Sequence, residues 1–153
     1  MIIKIKDWSK NKVAWFYALR ITIVIILFST VLHLANVYES VSFRAMFLLF
    51  VLLGFILMIR AYSRYHPSTT FVEGFLLCAR TGIRFIIVLI PIIGIYLYLN
   101  GSMVDLIREK ETFGNADTIM EIMLSTAFEM AAAIVISGIC ASFLTGWDNK
   151  VVK

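Results

Sequence analysis

The chain has 153 residues, of which 61% are hydrophobic and only 16% are charged. Because a soluble domain has about a quarter of its residues charged, this composition excludes an ordinary soluble domain. The chain holds 14 basic and 10 acidic residues, and most of them lie between long apolar runs. The net charge of +4 therefore indicates membrane topology and attraction to anionic lipids, and we expect no nucleic-acid partner.

Four apolar segments follow one another along the chain, and each approaches the roughly 20 residues that a membrane-spanning helix needs. Short connections favour antiparallel neighbours. The predicted fold is therefore all-α: a polytopic membrane protein with four transmembrane helices in an antiparallel bundle, forming one membrane domain over residues 1–153. The predicted spans are about 13–37, 43–62, 70–99 and 119–144.

The first twelve residues carry four lysines interleaved with isoleucines and a tryptophan. This pattern is typical of a short segment that lies on an anionic leaflet. The apolar run that follows is long and ends in a poor cleavage context, so we expect it to remain as an anchor. The residues predicted to lie at the lipid interface are Lys4, Lys6, Trp8, Trp15 and Trp147.

The loop between the third and fourth spans is acidic, with five acids and two bases between Gly101 and Glu121. The spacing of its apolar residues predicts a short amphipathic outer helix at about 102–112. Eight lysines and arginines flank the spans on the side of the two termini, against three on the opposite side. The positive-inside rule therefore predicts that both termini are cytoplasmic.

The start of the third helix carries recognisable signals. Ser68 and Thr69 are suitable capping residues, and Glu73 then falls in the first turn, where the helix dipole favours an acid. We expect one of the two hydroxyl residues to cap this helix.

Charged residues inside the third and fourth spans are the main candidate functional residues. Glu73 and Arg80 lie two turns apart on one helix face, and Arg84 follows one turn later. Arg84 and Glu129 are predicted to differ in depth by roughly 8 Å. Since an unpaired charge near the bilayer centre costs about 2.5–3.5 kcal/mol, we predict the intramembrane ion pairs Arg84–Glu129 and Glu73–Arg80.

The fourth span also contains a row of small residues at helical spacing. Helices in lipid gain no hydrophobic drive to associate, so small residues are used where two backbones approach closely. The predicted helix-packing residues are Ser125, Ala133, Ser137, Gly138 and Ala141.

The third helix opens with Phe71-Val-Glu-Gly-Phe75, and an acidic outer segment and a small-residue last span follow it. In these features the chain resembles domain-of-unknown-function family 4199, whose members are small bacterial four-span membrane proteins with a Phe-x-x-Gly-Phe opening to the third helix. Arg80 and Arg84 give this chain more charge in that helix than the family pattern has. The resemblance implies a bacterial inner-membrane location and brings no activity, ligand or catalytic residue.

The motifs of common enzymes are missing from the sequence, including GxSxG, HExxH, a glycine-rich phosphate loop and paired aspartates. We therefore expect no catalytic, cofactor-binding or metal-binding residues. Cys78 and Cys140 fall inside predicted spans without a second ligand nearby, and we interpret both as small buried apolar side chains.

These patterns predict a non-enzymatic accessory or scaffold subunit of a larger bacterial inner-membrane complex. It would dock through the charged and small-residue faces of the third and fourth helices. The alternative is a small transporter or channel with Glu129 as an intramembrane titrating group. Four helices are too few to enclose a roomy pathway, so the alternative requires a homo-oligomer. The expected partners are membrane lipids and other membrane-protein subunits.

Overall fold

The structure, a computed structural model, describes residues 8–34, 42–100 and 118–151, with side chains for 8–31, 47–100 and 118–145. Within these ranges the regular structure is entirely helical, which confirms the all-α prediction. The helices in these ranges are α1 (Lys10–Leu34), α2 (Ser42–Ser63), α3 (Phe71–Leu99) and α4 (Ile119–Val151).

Some sequence predictions concern other parts of the chain. Lys4, Lys6 and the outer helix predicted at 102–112 lie outside the described residues, as does the side chain of Trp147.

Three of the helices are long and apolar enough to cross a membrane, judged by length and composition: α1 over Lys10–Val31, α3 over Phe71–Leu99 and α4 over Ile119–Thr145. The apolar stretch of α2 that the structure describes with side chains, Phe47–Ser63, is shorter. These helices indicate a membrane-spanning protein, since a hydrocarbon core about 30 Å thick needs roughly 20 apolar helical residues.

Helices α3 and α4 begin at side-chain caps. Thr70 caps α3, because Glu73 N donates to Thr70 Oγ1 and Thr70 N donates to Glu73 Oε2, both at 3.3 Å. This capping box corrects the expectation that Ser68 or Thr69 is the cap, while Glu73 does lie in the first turn. Thr118 and Glu121 make the same reciprocal pair of hydrogen bonds at the start of α4.

Glycines of α3 lie directly against side chains of α4. A Cβ placed on Gly74 would lie 3.3 Å from Ser142 Oγ, and one on Gly82 would lie 2.3 Å from Ile134 Cγ2. Further along, Gly94 faces Met123 in the same way. Because the partner numbers fall as the glycine numbers rise, α3 and α4 run in opposite directions.

The interior is formed by apolar side chains from all four helices, while other large apolar side chains cover the outside. Phe55, Met58 and Phe85 are buried, whereas Leu27 is 60% exposed and Phe128 is 70% exposed. An apolar exterior of this kind is expected for helices in contact with lipid. Buried members of the core are Val13, Ala14, Ile21, Val51, Phe55, Met58, Leu77, Cys78, Phe85, Leu89, Ile134 and Ala141.

Candidate functional site

Glu73 forms an ion pair between helices. Lys10 Nζ donates to Glu73 Oε1 at 2.9 Å, and the two side chains are 42% and 40% exposed. This pair stands in place of the predicted Glu73–Arg80 pair. The reason is that the first turn of α1 lies beside the first turn of α3, so Lys10 reaches Glu73, whereas Arg80 lies two turns further along the same helix. The Lys10–Glu73 pair links the first turn of α1 to the first turn of α3.

Arg84 also turns toward α1. Its Nη2 donates to Asn11 Oδ1 at 3.0 Å, and its Nη1 donates to the carbonyl oxygen of Arg80 at 2.8 Å. The guanidinium carbon lies 5.5 Å from the centre of the Trp15 ring. These partners differ from the predicted Arg84–Glu129 pair. Arg84 extends back toward the start of α3, as a long cationic side chain does when it reaches for the membrane interface.

Arg80 lies on the outer surface of α3. The residue is exposed, and its guanidinium makes no hydrogen bond or ion pair in the part of the chain that the structure describes. It lies within electrostatic range of Lys10. Arg80 therefore adds a positive charge beside the Lys10–Glu73 pair without being neutralised by it.

Glu129 lies on an exposed face of α4, about ten residues or roughly 15 Å from the helix start. It has an interaction partner within the chain, and the residue is nevertheless exposed. Exposed neighbours at helical spacing continue the same face toward the end of the span. We call this surface the Glu129 face, and it consists of Glu129, Ala132, Ile136, Cys140 and Phe143.

The predicted helix-packing residues of α4 lie mainly inside. Ala133, Ser137, Gly138 and Ala141 are buried, and Ser125 is half-buried. A row at i+4 spacing turns by about 40° per step around the helix. For that reason the first residues of the row, Ser125 and Glu129, lie at the edge of the buried side of α4, and the later residues of the row are buried.

Cation–π contacts on α1 were not predicted. Lys12 Nζ lies 4.9 Å from the centre of the Trp8 ring, and Arg20 Cζ lies 4.4 Å from the centre of the Phe16 ring. The Trp8 and Phe16 rings also pack edge to face at 5.2 Å. The i+4 spacing of these four residues is the sequence signal that could have revealed this row.

Ser137 is an unusual member of the α4 interior. Its hydroxyl oxygen is buried and has no hydrogen-bond partner in the described part of the chain. By contrast, the buried Thr81 hydroxyl donates to the Leu77 carbonyl at 2.8 Å and lies 3.0 Å from Met58 Sδ. An unsatisfied buried hydroxyl destabilises a fold, whereas a satisfied one does not.

We expect Ser137→Ala to raise the free energy of unfolding by about 1 kcal/mol, because the change removes a desolvated hydroxyl and leaves the packing methylene in place. Thr81→Val is the matched control, and we expect it to lower the free energy of unfolding because its hydroxyl is hydrogen-bonded. Equilibrium unfolding in mixed micelles, followed by circular dichroism, measures both. A loss of stability in Ser137→Ala would show that the hydroxyl has a partner.

A small pocket lies where the end of α2 meets the start of α3 and the end of α4. It measures about 10 Å³, close to the minimum that holds one water molecule. Ser142 lines this pocket, and its Oγ makes no hydrogen bond of ordinary geometry with the described residues. The Cys78 thiol is a polar neighbour of that oxygen. The other hydroxyls that line the pocket are those of Ser63, Thr69, Thr70 and Thr145.

The two cysteines differ in environment. Cys78 is buried as expected, but Cys140 is exposed, which corrects the interpretation of both as buried. Cys140 is exposed because it follows Ile136 by one turn on the outward side of α4. Among the residues that the structure describes, no group of three His, Cys, Asp or Glu side chains could hold a metal ion.

Comparisons of the chain with protein-family models, curated proteins and solved structures find no match. The resemblance to domain-of-unknown-function family 4199 therefore stays a prediction, and function has to be argued from the geometry of the chain itself.

Proposed function

We propose that the chain is a multi-pass protein of a bacterial inner membrane, with four helices crossing in alternating directions and both termini in the cytoplasm. The length and apolar character of α1, α3 and α4 support this proposal. The antiparallel contacts of α3 with α4 and the packing of α2 on α4 supply further support. The orientation follows from the excess of lysine and arginine on the side of the termini.

Within the membrane, the protein acts as a non-enzymatic accessory or scaffold subunit of a larger complex and docks through the Glu129 face. The observation that carries this proposal is the exposed Glu129 face, where a charged residue lies among small and apolar side chains on the outside of an apolar span. Charged residues within membrane spans are rare and usually face other protein or a water-filled cavity. A second helix that covers the face packs against its small and apolar side chains.

The residues around Glu129 suit a helix–helix contact. Ala132 allows close approach of a second backbone, while Ile136 and Phe143, which are 52% and 58% exposed, provide apolar area on either side of Cys140. A polar group flanked by small and apolar side chains is the usual composition of a helix interface in a membrane.

The alternative is a homo-oligomeric transporter or channel in which Glu129 titrates. Two copies that met symmetrically through this face would bring two Glu129 carboxylates together, and like charges at short distance are unfavourable unless one is protonated. A different subunit brings no second Glu129 to the contact. For this reason we favour the accessory subunit.

Crosslinking from Cys140 tests the proposal, because Cys140 is exposed on the Glu129 face while the other cysteine of the chain is buried. A thiol–amine crosslinker is applied to intact membranes, and the adducts are identified by mass spectrometry. We expect an adduct with a different membrane protein, and we expect Glu129→Lys to reduce its yield at least tenfold because the charge that the partner surface meets is then reversed.

The matched control moves the thiol to a neighbouring exposed position, Ile139, in the double variant Cys140→Ser with Ile139→Cys. This shifts the reactive group by about 100° around α4 and should lower the adduct yield. An adduct between two copies of this chain would favour the transporter reading. Absence of any adduct with the folded wild-type protein would overturn docking through this face.

A further inference from the structure

Three basic side chains lie together where the first half of α3 faces the start of α1. We call Lys10, Arg80 and Arg84 the basic cluster. Among the described residues, Glu73 is the one carboxylate that pairs with the basic cluster, and it does so through Lys10. The three positive charges are therefore balanced by one negative charge, and two positive charges remain in excess.

The excess charge of Arg84 is not neutralised by its hydrogen bonds. Its acceptors are the side-chain amide oxygen of Asn11 and the main-chain carbonyl oxygen of Arg80, and both are uncharged. These two bonds use two of the five guanidinium N–H groups and hold the remaining edge in place beside Trp15. Arg84 is therefore an oriented cation without a counter-ion among the residues that the structure describes.

Arg80 supplies the second free charge. The residue is exposed, and in the part of the chain that the structure describes its guanidinium has no hydrogen-bond acceptor. A guanidinium offers a planar set of donors that matches the oxygens of a phosphate better than an ammonium group does. Two arginines one helical turn apart suit a single phosphodiester.

The surface beside the basic cluster is apolar. Ile83 and Ile87 lie on the same side of α3 and are 60% and 58% exposed, and Leu19 of α1 is 45% exposed. Trp15 is 43% exposed next to Arg84, and tryptophan prefers the boundary between headgroups and acyl chains. A ligand that fits this arrangement has an anionic head and a hydrocarbon tail.

We propose that the basic cluster binds the headgroup phosphate of an anionic phospholipid, with its acyl chains along Ile83 and Ile87. Arg80 and Arg84 donate to the phosphate oxygens, and the Trp15 indole borders the headgroup. The assignment goes beyond the accessory-subunit role and uses none of the residues of the Glu129 face, so the two proposals fail independently.

Native mass spectrometry of the full chain, released from nanodiscs of phosphatidylglycerol and phosphatidylcholine, tests the assignment. We expect the wild type to retain one phosphatidylglycerol molecule, and Arg80→Gln to lower its retained fraction about tenfold, since a charge-assisted hydrogen bond to phosphate is lost. Arg80→Gln should fold normally because the guanidinium makes no hydrogen bond within the described chain. Arg80→Lys keeps the charge but loses the planar fork and should give intermediate retention.

The matched control is Lys12→Gln, which removes the same charge from the first turn of α1, where the side chain packs on Trp8. We expect it to retain phosphatidylglycerol like the wild type. Equal retention by the wild type and Arg80→Gln, or an equal loss in Lys12→Gln, would overturn the site. Displacement of the lipid by millimolar inorganic phosphate, or equal retention of phosphatidylcholine, would overturn the choice of an anionic lipid as the ligand.

Discussion

Gly82→Ala is expected to lower the free energy of unfolding by about 2 kcal/mol, because it inserts a methyl group into a close contact between α3 and α4. The added Cβ would lie 2.3 Å from Ile134 Cγ2 and 3.0 Å from both Ile134 Cγ1 and Cδ1. Ile134 is β-branched and buried, so its side chain has one strongly preferred rotamer in a helix and cannot swing aside. The helices must therefore separate.

Gly94→Ala provides the control for this prediction. There the added Cβ would lie 2.8 Å from Met123 Sδ and 2.9 Å from Met123 Cε, which belong to the far end of a flexible side chain. Met123 can move, and alanine favours the helix over glycine by up to about 1 kcal/mol. We expect Gly94→Ala to be neutral or slightly stabilising when unfolding is followed by detergent titration and circular dichroism.

A double-mutant cycle with Ile134→Ala separates the steric effect from other causes. In that background the three Ile134 atoms that lie nearest the added methyl group are absent, so the destabilisation should disappear. If the two substitutions were simply additive, contact with Ile134 would not be the reason why a glycine is required at position 82.

The helical class of the protein follows from the length of its apolar runs, and so do most helix starts. Thr70 and Glu73, like Thr118 and Glu121, have the Thr-x-x-Glu spacing of a capping box, a signal more specific than the neighbouring hydroxyls at Ser68 and Thr69. The correct cap of α3 could therefore have been identified from local sequence alone.

The partners of the intramembrane charges could not be predicted in this way. Periodicity within one helix reveals that Glu73, Arg80 and Arg84 share a face, but the partner of each depends on the rotation and register of another helix. The first turn of α1 lies beside α3, so Lys10 and Asn11 bond to Glu73 and Arg84. These contacts arise between helices, and no spacing within a single helix encodes them.

The position of Glu129 shows a second limit of pattern reasoning. Residues spaced by four from Glu129 along α4 include Ser125, Ala133 and Ser137, and this spacing suggests that all of them share one inward side of the helix. Since the row turns by about 40° per step, Ser137 is buried while Glu129 lies on the exposed flank. A row of small residues identifies the packing helix but does not place every residue of the row inside.

Phe85→Ala is expected to produce the largest loss of stability, about 3 kcal/mol, because it opens a cavity where α3 meets the core. Phe85 is 1% exposed, and its ring centre lies 6.0 Å from that of Phe47. The loss should lie at the low end of the range for a buried aromatic residue. In a membrane the separated helices remain in hydrocarbon, so packing is lost but little apolar area is transferred to water.

Ile87→Ala, two residues further along α3, is the matched control because Ile87 is 58% exposed on the outer surface. If α3 faces lipid there, truncation should change the free energy of unfolding in detergent by less than about 0.5 kcal/mol. The pair of variants thus tests which side of α3 is packed against protein. An effect of Ile87→Ala as large as that of Phe85→Ala would mean that protein, rather than lipid, covers the outer surface of α3.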